Sequence, residues 1–557
     1  MFEVRNPYAT ASAREVDDVR VDRTFVFGDS YSVPSHAGVP SWSTRLKGQG
    51  RTRAVDNFAV EGATAGDTTG RSFADQVNRF TGQGRRPDGD DLTVVYFGYN
   101  DVNLDLDRDA AFADYRAAAD RLAARGATAG DQRMFVTTLT DWGRSPGAPA
   151  SDRAAVLDWN RRVAAYANAR RNVVAVDLFS VFERIFENPG TFGFDDVTTV
   201  DPANAASTSL FVDRFHFGRR GQDIIARVYD YYLTRGWDAA NSLRAGQAAM
   251  AALGRALDQG RVLSLAATPD GDAALRLRTL GTQVAADEPV EGTPDTSMRA
   301  ALAADERRPD GLALDLDLGP DWRLALSLAE HRGRAGFETE RARGESTVDT
   351  RSLGLSLEKR AGDWRASTRM VVAADDLLLR RSDLDLHQES RARTGGEVVQ
   401  LGQRLDRPIR AMETWWTPWL DLTFERRAID AYTIDNPYFG PVHHDSLATT
   451  DVVAGLGLSA AVDPIVLGTL TIHPTGAVGY TRSLVRDDAK QGITESGSTL
   501  GRQMQVIERD SIEALDLMLG LRVVDGDALD LATSWVFRAD RARGPAHDLH
   551  LVLRYRF

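Results

Sequence analysis

The sequence predicts a chain in two parts, a mixed α/β half with a mostly parallel sheet up to about residue 235 and an antiparallel β half from about residue 262. The first part rests on short apolar runs that alternate with Ala-, Arg- and Leu-rich helical segments, the pattern of buried strands covered by helices on both faces. The second rests on a switch to period-two alternation of apolar and polar residues. No window of 18 or more apolar residues occurs, so no ordinary transmembrane helix is expected. A membrane β-barrel remains open, because its strands carry only a weak alternating signal.

In chain order, residues 24–27 form an apolar strand that ends in Gly28-Asp29-Ser30, and residues 92–97 form a second that ends in Gly98-Tyr99-Asn100-Asp101. Residues 133–139 and 173–178 read as two more strands, with helical patterns over 109–124 and 151–170. A further helix over 221–236 closes this half. In such folds ligands sit beyond the carboxyl ends of the strands, and both Gly-containing signatures fall there. Residues 238–259 are dominated by Ala, with Leu243, Met250, Leu253 and Leu257 between. Small side chains on a helix suit a narrow space, and a helix lying on an interdomain surface fits the pattern equally.

Beyond residue 262 the alternation recurs. Leu312, Leu314, Leu316 and Leu318 share one face, and Trp322, Leu324, Leu326 and Leu328 repeat this after a Gly-Pro-Asp turn. Similar segments cover 352–359, 364–372, 419–426, 453–460, 475–481, 513–523, 529–537 and 547–557. A soluble sandwich alternates with its polar face outward, whereas a lipid-embedded barrel turns the apolar face outward and needs strands of about 9–11 residues. Residues 261–557 divide by twelve into about 25 per strand and connection, which fits the barrel geometry. The polar stretches 335–349 and 482–498 then read as outward loops.

The composition excludes several chemistries. With no Cys in 557 residues, disulfide scaffolds, thiol catalysis and thiolate-held metal centres are ruled out. With 67 basic against 80 acidic residues and a net charge of −13, the balance argues against nucleic acid as the partner. The opening MFEVRNPYAT lacks a basic segment followed by an apolar run and is not a signal peptide as written. The acidic clusters at 88–91 and 101–109 lack the ligand spacing of a calcium loop and read as solvated turns, so no metal or cofactor is expected.

Ser30 follows a strand through a tight Gly-Asp turn, a placement that exposes a hydroxyl at a sheet edge; a helix-capping Ser fits the same local pattern. The first 240 residues hold two His, His36 and His216. His216 ends Asp213-Arg214-Phe215-His216, where a carboxylate three residues earlier can bond one ring nitrogen and leave the other to take a serine proton. His36 is the rival base. Backbone N–H groups of Ser30 and Gly62 and the amide of Asn100 are candidate donors to a developing oxyanion.

The blocks Phe27-Gly28-Asp29-Ser30, Gly62, Gly98-Tyr99-Asn100-Asp101 and Asp213-Arg214-Phe215-His216 resemble those of GDSL/SGNH hydrolases over residues 22–232. The resemblance implies a flavodoxin-like α/β/α fold with Ser30 as nucleophile, Gly62 and Asn100 in the oxyanion hole, and Asp213 and His216 completing the triad. Tyr31, where many members have Leu, is expected to alter the pocket rim. The whole arrangement is similar to autotransporter esterases. That similarity implies an N-terminal extension over 1–21, a hydrolase passenger over 22–236, a linker and pore-threading helix over 237–260, and a twelve-stranded transmembrane β-barrel over 261–557. It further implies a monomer in the bacterial outer membrane, inserted by the barrel-assembly machinery through a signal that includes Phe557, and displaying a serine esterase or lipase to ester or lipid substrates at the cell surface. The alternatives are a catalytically silent binding passenger or adhesin on the same barrel, and a transport protein whose β half is the functional part.

Overall fold

The computed structural model of the chain describes residues 3–5, 21–250 and 275–555, apart from 67–69, 130–131, 204–207, 237, 248, 281–309, 320, 339–340, 385, 508, 510, 526–528 and 541–543. In the first part, β1 (Val21–Gly28), β2 (Thr52–Asn57), β3 (Leu92–Tyr96), β4 (Arg133–Thr137) and β5 (Val173–Val176) form one parallel sheet in the order β2-β1-β3-β4-β5. This is the flavodoxin-like doubly wound order, whose switch point lies between β1 and β3. Strands β3, β4 and β5 are buried at every residue, as helices on both faces require.

Helices α1 (Trp42–Gly48), α2 (Phe73–Gly82), α3 (Tyr99–Asn103), α4 (Arg108–Leu122), α5 (Arg153–Asn168), α6 (Leu178–Glu187) and α7 (Arg219–Thr234) connect and cover the strands. Helix α2 starts in a reciprocal cap between Ser72 and Asp75 and buries Phe73, Val77 and Phe80 along one stripe. These rings pack with Phe25, Phe27 and Phe58. Edge strand β2, with Arg53 and Asp56 turned to partly exposed positions, carries too little apolar signal to stand out in the sequence. Helix α4 is capped by Asp107, which accepts from Asp109 and Ala110 N–H. The acidic clusters are not simply solvated turns: Asp101 and Asp91 are buried and accept main-chain N–H bonds.

In the second part, among the described residues, twelve strands follow one another antiparallel from Leu275–Leu280 to Gly544–Tyr555, and the short Ile409–Ala411 and Ile465–Leu467 pair beside them. The alternation resolves in the sense a lipid-facing sheet requires. Leu353, Leu355, Leu357, Leu401, Leu420, Leu422, Leu456, Leu515 and Leu519 are exposed, while polar His331, Thr350, Asp375 and Arg427 are buried. A sandwich would reverse this.

The expected loops at 335–349 and 482–498 are largely strand. Trp322–Glu338, Ala342–Ala361, Leu470–Arg486 and Ala489–Glu495 run through them, and the longest strand reaches 20 residues. The strands continue past the apolar belt, where outer apolar residues are no longer required and period two fades from the sequence. Beyond the belt, Tyr432–Asn436, Gly440–His444, Ala489–Glu495 and Arg502–Ile507 build a small sheet joined by Glu3–Arg5.

This extension carries the α/β part. Glu495 is buried between Arg235, at 3.2 Å, and the Tyr232 hydroxyl, at 3.0 Å. Ser498 Oγ donates to Asp177 at 2.6 Å, and Phe439 packs on Tyr231. One buried apolar cluster runs from the α/β sheet through Tyr231 and Tyr232 to Phe439 and Ile493.

Residues 238–247 and 249–250 are helical, and nearly all of them are buried. Their partners come from strands across the sheet: Asp238 with Arg381 at 3.1 Å, Ser242 with Ser346 at 3.2 Å, the Gly246 carbonyl with Arg427 Nη2 at 2.8 Å, and Gln247 with Arg486 at 3.5 Å. The helix thus lies along the polar face of the sheet. An added methyl at Gly333 would collide with the Ala245 carbonyl, which shows how closely helix and wall approach. Residues 251–259 of the expected helix lie outside the described residues.

Candidate active site

The nucleophile turn is built from its backbone outward. β1 ends at Gly28, whose N–H and C=O are both held by the Gln76 amide of α2, at 3.0 and 2.8 Å. A side chain at Gly28 would meet Ser32 Oγ at 2.7 Å and the Tyr96 carbonyl at 2.8 Å, so the turn closes only around glycine. The turn is fixed further by Ser32 N–H on the Asp29 carbonyl and by Asn57 Nδ2 on the Ser32 carbonyl. Ser30 therefore stands beyond the carboxyl end of β1, at the switch point.

Ser30 Oγ lies 2.7 Å from His216 Nε2, and His216 Nδ1 lies 2.8 Å from Asp213 Oδ2. Asp213 Oδ1 accepts the N–H groups of Phe215 and His216 at 2.8 and 2.7 Å. Burial opposes the Asp213 charge, but the bonds from His216, His36 and these two amides outweigh it and hold the carboxyl well below the usual carboxylate range. An ionised Asp213 keeps the Nδ1 proton in place and presents Nε2 as acceptor to Ser30.

Gly62 has φ +70°, in the region that favours glycine, on the loop after β2. Asn100 lies in α3, just past β3, and one of its two amide protons goes to the Ala63 carbonyl at 2.8 Å, which leaves the other. Val60 N–H donates to the Gly28 carbonyl at 3.1 Å, so the Gly62 loop is tied to the nucleophile turn as well. Asp101 accepts Ala65 and Gly66 N–H, both at 2.9 Å, and fixes the same loop from below. Among the described residues neither the Ser30 nor the Gly62 main-chain N–H has a protein acceptor.

Two residues take places the sequence did not foretell. Tyr31 is not on a rim: it is buried, stacks on Tyr99 with ring centres 4.4 Å apart, lies against His216, and donates its hydroxyl to the Phe215 carbonyl. His36, the rival base, has both ring nitrogens on carboxylates, while Ser30 Oγ meets His216. Its Nε2 meets Asp213 Oδ2 at 3.0 Å and its Nδ1 meets Glu61 Oε1 at 2.8 Å. Being one of only two His in the first 240 residues was the available signal, but nothing local pointed to Glu61. Among the described residues, His36, Asp213 and His216 alone bring three His or acidic ligand atoms within 4.8 Å of one another, and each group is engaged in the hydrogen bonds given above.

Fold and site together define a two-part chain, a doubly wound α/β domain with a Ser–His–Asp relay and an antiparallel β-domain with a helix along its polar face. Residues 26–224 match the model of the GDSL-like lipase/acylhydrolase family, and residues 311–524 match that of the autotransporter beta-domain. The first part therefore carries a GDSL-like lipase/acylhydrolase domain and the second an autotransporter beta-domain, the outer-membrane β-barrel that displays a surface passenger. Among solved structures it is similar to the translocator domain of the autotransporter NalP from Neisseria meningitidis, at 16% identity and TM-score 0.36 over 56% of this chain and 98% of that one. It is also similar to the β-domain of the Bordetella autotransporter BrkA, at 14% identity and TM-score 0.31 over 51% and 97%. A lipolytic G-D-S-L family member from Veillonella parvula is similar at 14% identity and TM-score 0.28 over 38% and 98%. No curated protein matches the chain.

Proposed function

We propose that the chain is a surface-displayed serine hydrolase of carboxylic esters, with Ser30 as nucleophile, His216 as general base and acid, Asp213 as orienting carboxylate, and Ser30 N–H, Gly62 N–H and Asn100 Nδ2 as oxyanion donors. The observation that carries this reading is the unbroken relay from Ser30 Oγ through both nitrogens of His216 to Asp213. The domain reading that accompanies it has the hydrolase over residues 22–236, a pore-threading segment over 237–260 and a twelve-stranded barrel over 261–557, inserted by the barrel-assembly machinery.

In the reaction, an ester carbonyl enters beyond the carboxyl ends of β1 and β3, and Ser30 Oγ attacks its carbon while His216 Nε2 takes the hydroxyl proton. The carbonyl oxygen becomes an anion, held by donors fixed beforehand through the Asp101, Ala63 and Gly28 contacts. Collapse expels the alcohol, which leaves with the proton from His216. Water then gives a proton to the same nitrogen and attacks the acyl-serine, and the acid departs as Ser30 regains its proton.

Treating the full chain in detergent micelles with a serine-directed phosphonate tests this reading. It expects one phosphonyl group on the peptide that contains Ser30 and none on the Ser30→Ala chain. An unlabelled wild-type chain would favour the binding-passenger alternative.

A further inference from the structure

His36 lies in a two-stranded hairpin, Ser35–His36 against Val39–Pro40, whose turn residues Ala37 and Gly38 both have positive φ. This turn fixes the ring between two loops of the site. Nδ1 faces Glu61 Oε1 at 2.8 Å and Nε2 faces Asp213 Oδ2 at 3.0 Å. A carboxylate only accepts hydrogen bonds, so each contact needs a proton on the facing nitrogen, and a neutral imidazole carries one proton where two are required. The contacts are both satisfied only when His36 is an imidazolium.

Glu61 immediately precedes Gly62, and the His36 ring centre is 3.8 Å from that of His216. The titratable groups facing the ring are Glu61, from the loop after β2, and Asp213 and His216, from the loop before α7. A methyl added at Gly62 would meet Arg71 Nη1 at 3.5 Å.

Resting on the serine-hydrolase reading, we propose that His36 is a cationic positioning residue that ties the Gly62 loop to the triad carboxylate and, as a second positive charge beside His216, keeps that base in its working form at mildly acidic pH. Two adjacent imidazolium rings repel, and His36 draws on the same Asp213 oxygen that would stabilise a charged His216. The Asp213 bond, against the opposing effect of burial and together with the Glu61 bond, holds His36 protonated above its ordinary range. Removing the charge therefore moves the acid limb of kcat/KM to higher pH, and loosening Glu61 lowers kcat at the plateau with little change in KM.

The test is the pH profile of ester hydrolysis by the full chain in detergent micelles, for wild type, His36→Gln and His36→Arg, with the rate of phosphonate labelling at Ser30 followed in parallel. His36→Gln is expected to shift the acid limb up by about one pH unit. His36→Arg, whose fork stays charged and reaches two carboxylates, should keep the limb near that of wild type. A His36→Gln profile superimposed on wild type, or a His36→Arg chain that behaves like His36→Gln, would overturn the proposal while Ser30-dependent turnover leaves the hydrolase reading intact. Loss of Ser30 dependence in wild type would instead remove the hydrolase reading itself.

Discussion

The hydroxyl of Tyr31 donates to the main-chain carbonyl of Phe215, so the residue after the nucleophile bonds directly to the residue before the base. Ser30 and His216 are 186 positions apart in sequence, and this bond, with the stacking of Tyr31 on Tyr99, joins their two loops through buried groups. Tyr99 is itself held by Tyr96 and Thr140 hydroxyls, each at 2.8 Å, so the brace ends in the sheet.

Tyr31→Phe leaves a partly buried carbonyl without its donor while keeping the ring. It should destabilise the hydrolase domain by about 1–3 kcal/mol, read by chemical denaturation of the full chain in micelles. It should also lower kcat more than it raises KM, because what loosens is the base and not a substrate contact.

Asn100→Ala removes an oxyanion donor and also the bond to the Ala63 carbonyl. A fall in kcat of about 100- to 1,000-fold is expected, as for a comparable donor elsewhere. Steady-state kinetics beside a folded control check this, and a kcat within a few-fold of wild type would remove Asn100 from the oxyanion hole.

Asp29 gives a pH signature. Burial, opposed by the Tyr31 N–H bond, pushes its carboxyl up to about 7 from an ordinary 3.8. Between those values the unfolded chain ionises while the folded one keeps its proton, so this group makes stability fall as pH rises, by about 1.4 kcal/mol per pH unit in that window. Asp29→Asn retains an oxygen for the Tyr31 amide and should flatten the decline, measured as denaturation midpoints from pH 4 to pH 8.

The helix along the polar face should limit ion flow. Arg427 is buried, paired with Asp375 and bonded to the Gly246 carbonyl. Removing one partner of a buried pair costs about 3–5 kcal/mol. Arg427→Ala is therefore expected to raise single-channel conductance in planar bilayers above a low wild-type level, and equal conductance would show that this contact does not hold the helix.

The parallel sheet was legible because β1, β3, β4 and β5 are continuous apolar runs, and the Gly and Asp/His blocks sit where a doubly wound sheet puts its ligands. Edge strand β2 was not, since Arg53 is exposed and Asp56 only partly covered, which interrupts the apolar run. In the β half the apolar belt was legible as alternation, but alternation alone does not say which face is outside; exposed Leu353, Leu355 and Leu357 above buried Thr350 decide that. The extensions past the belt, including Glu495 and Ser498, lose the period because their partners belong to the hydrolase. At the site, local spacing delivered the Asp213–His216 pair, whereas the His36–Glu61 and Tyr31–Phe215 contacts join distant segments and leave no local pattern.

Ester hydrolysis by Ser30, activated by His216, is the proposal on which the other expectations rest. Its most direct test is turnover of a short-chain p-nitrophenyl ester by the full chain in detergent micelles, beside a Ser30→Ala chain whose fold is verified by its denaturation curve. Turnover by the wild type and none above background by the variant is expected; turnover at the wild-type rate by a folded Ser30→Ala chain would contradict a serine-dependent mechanism.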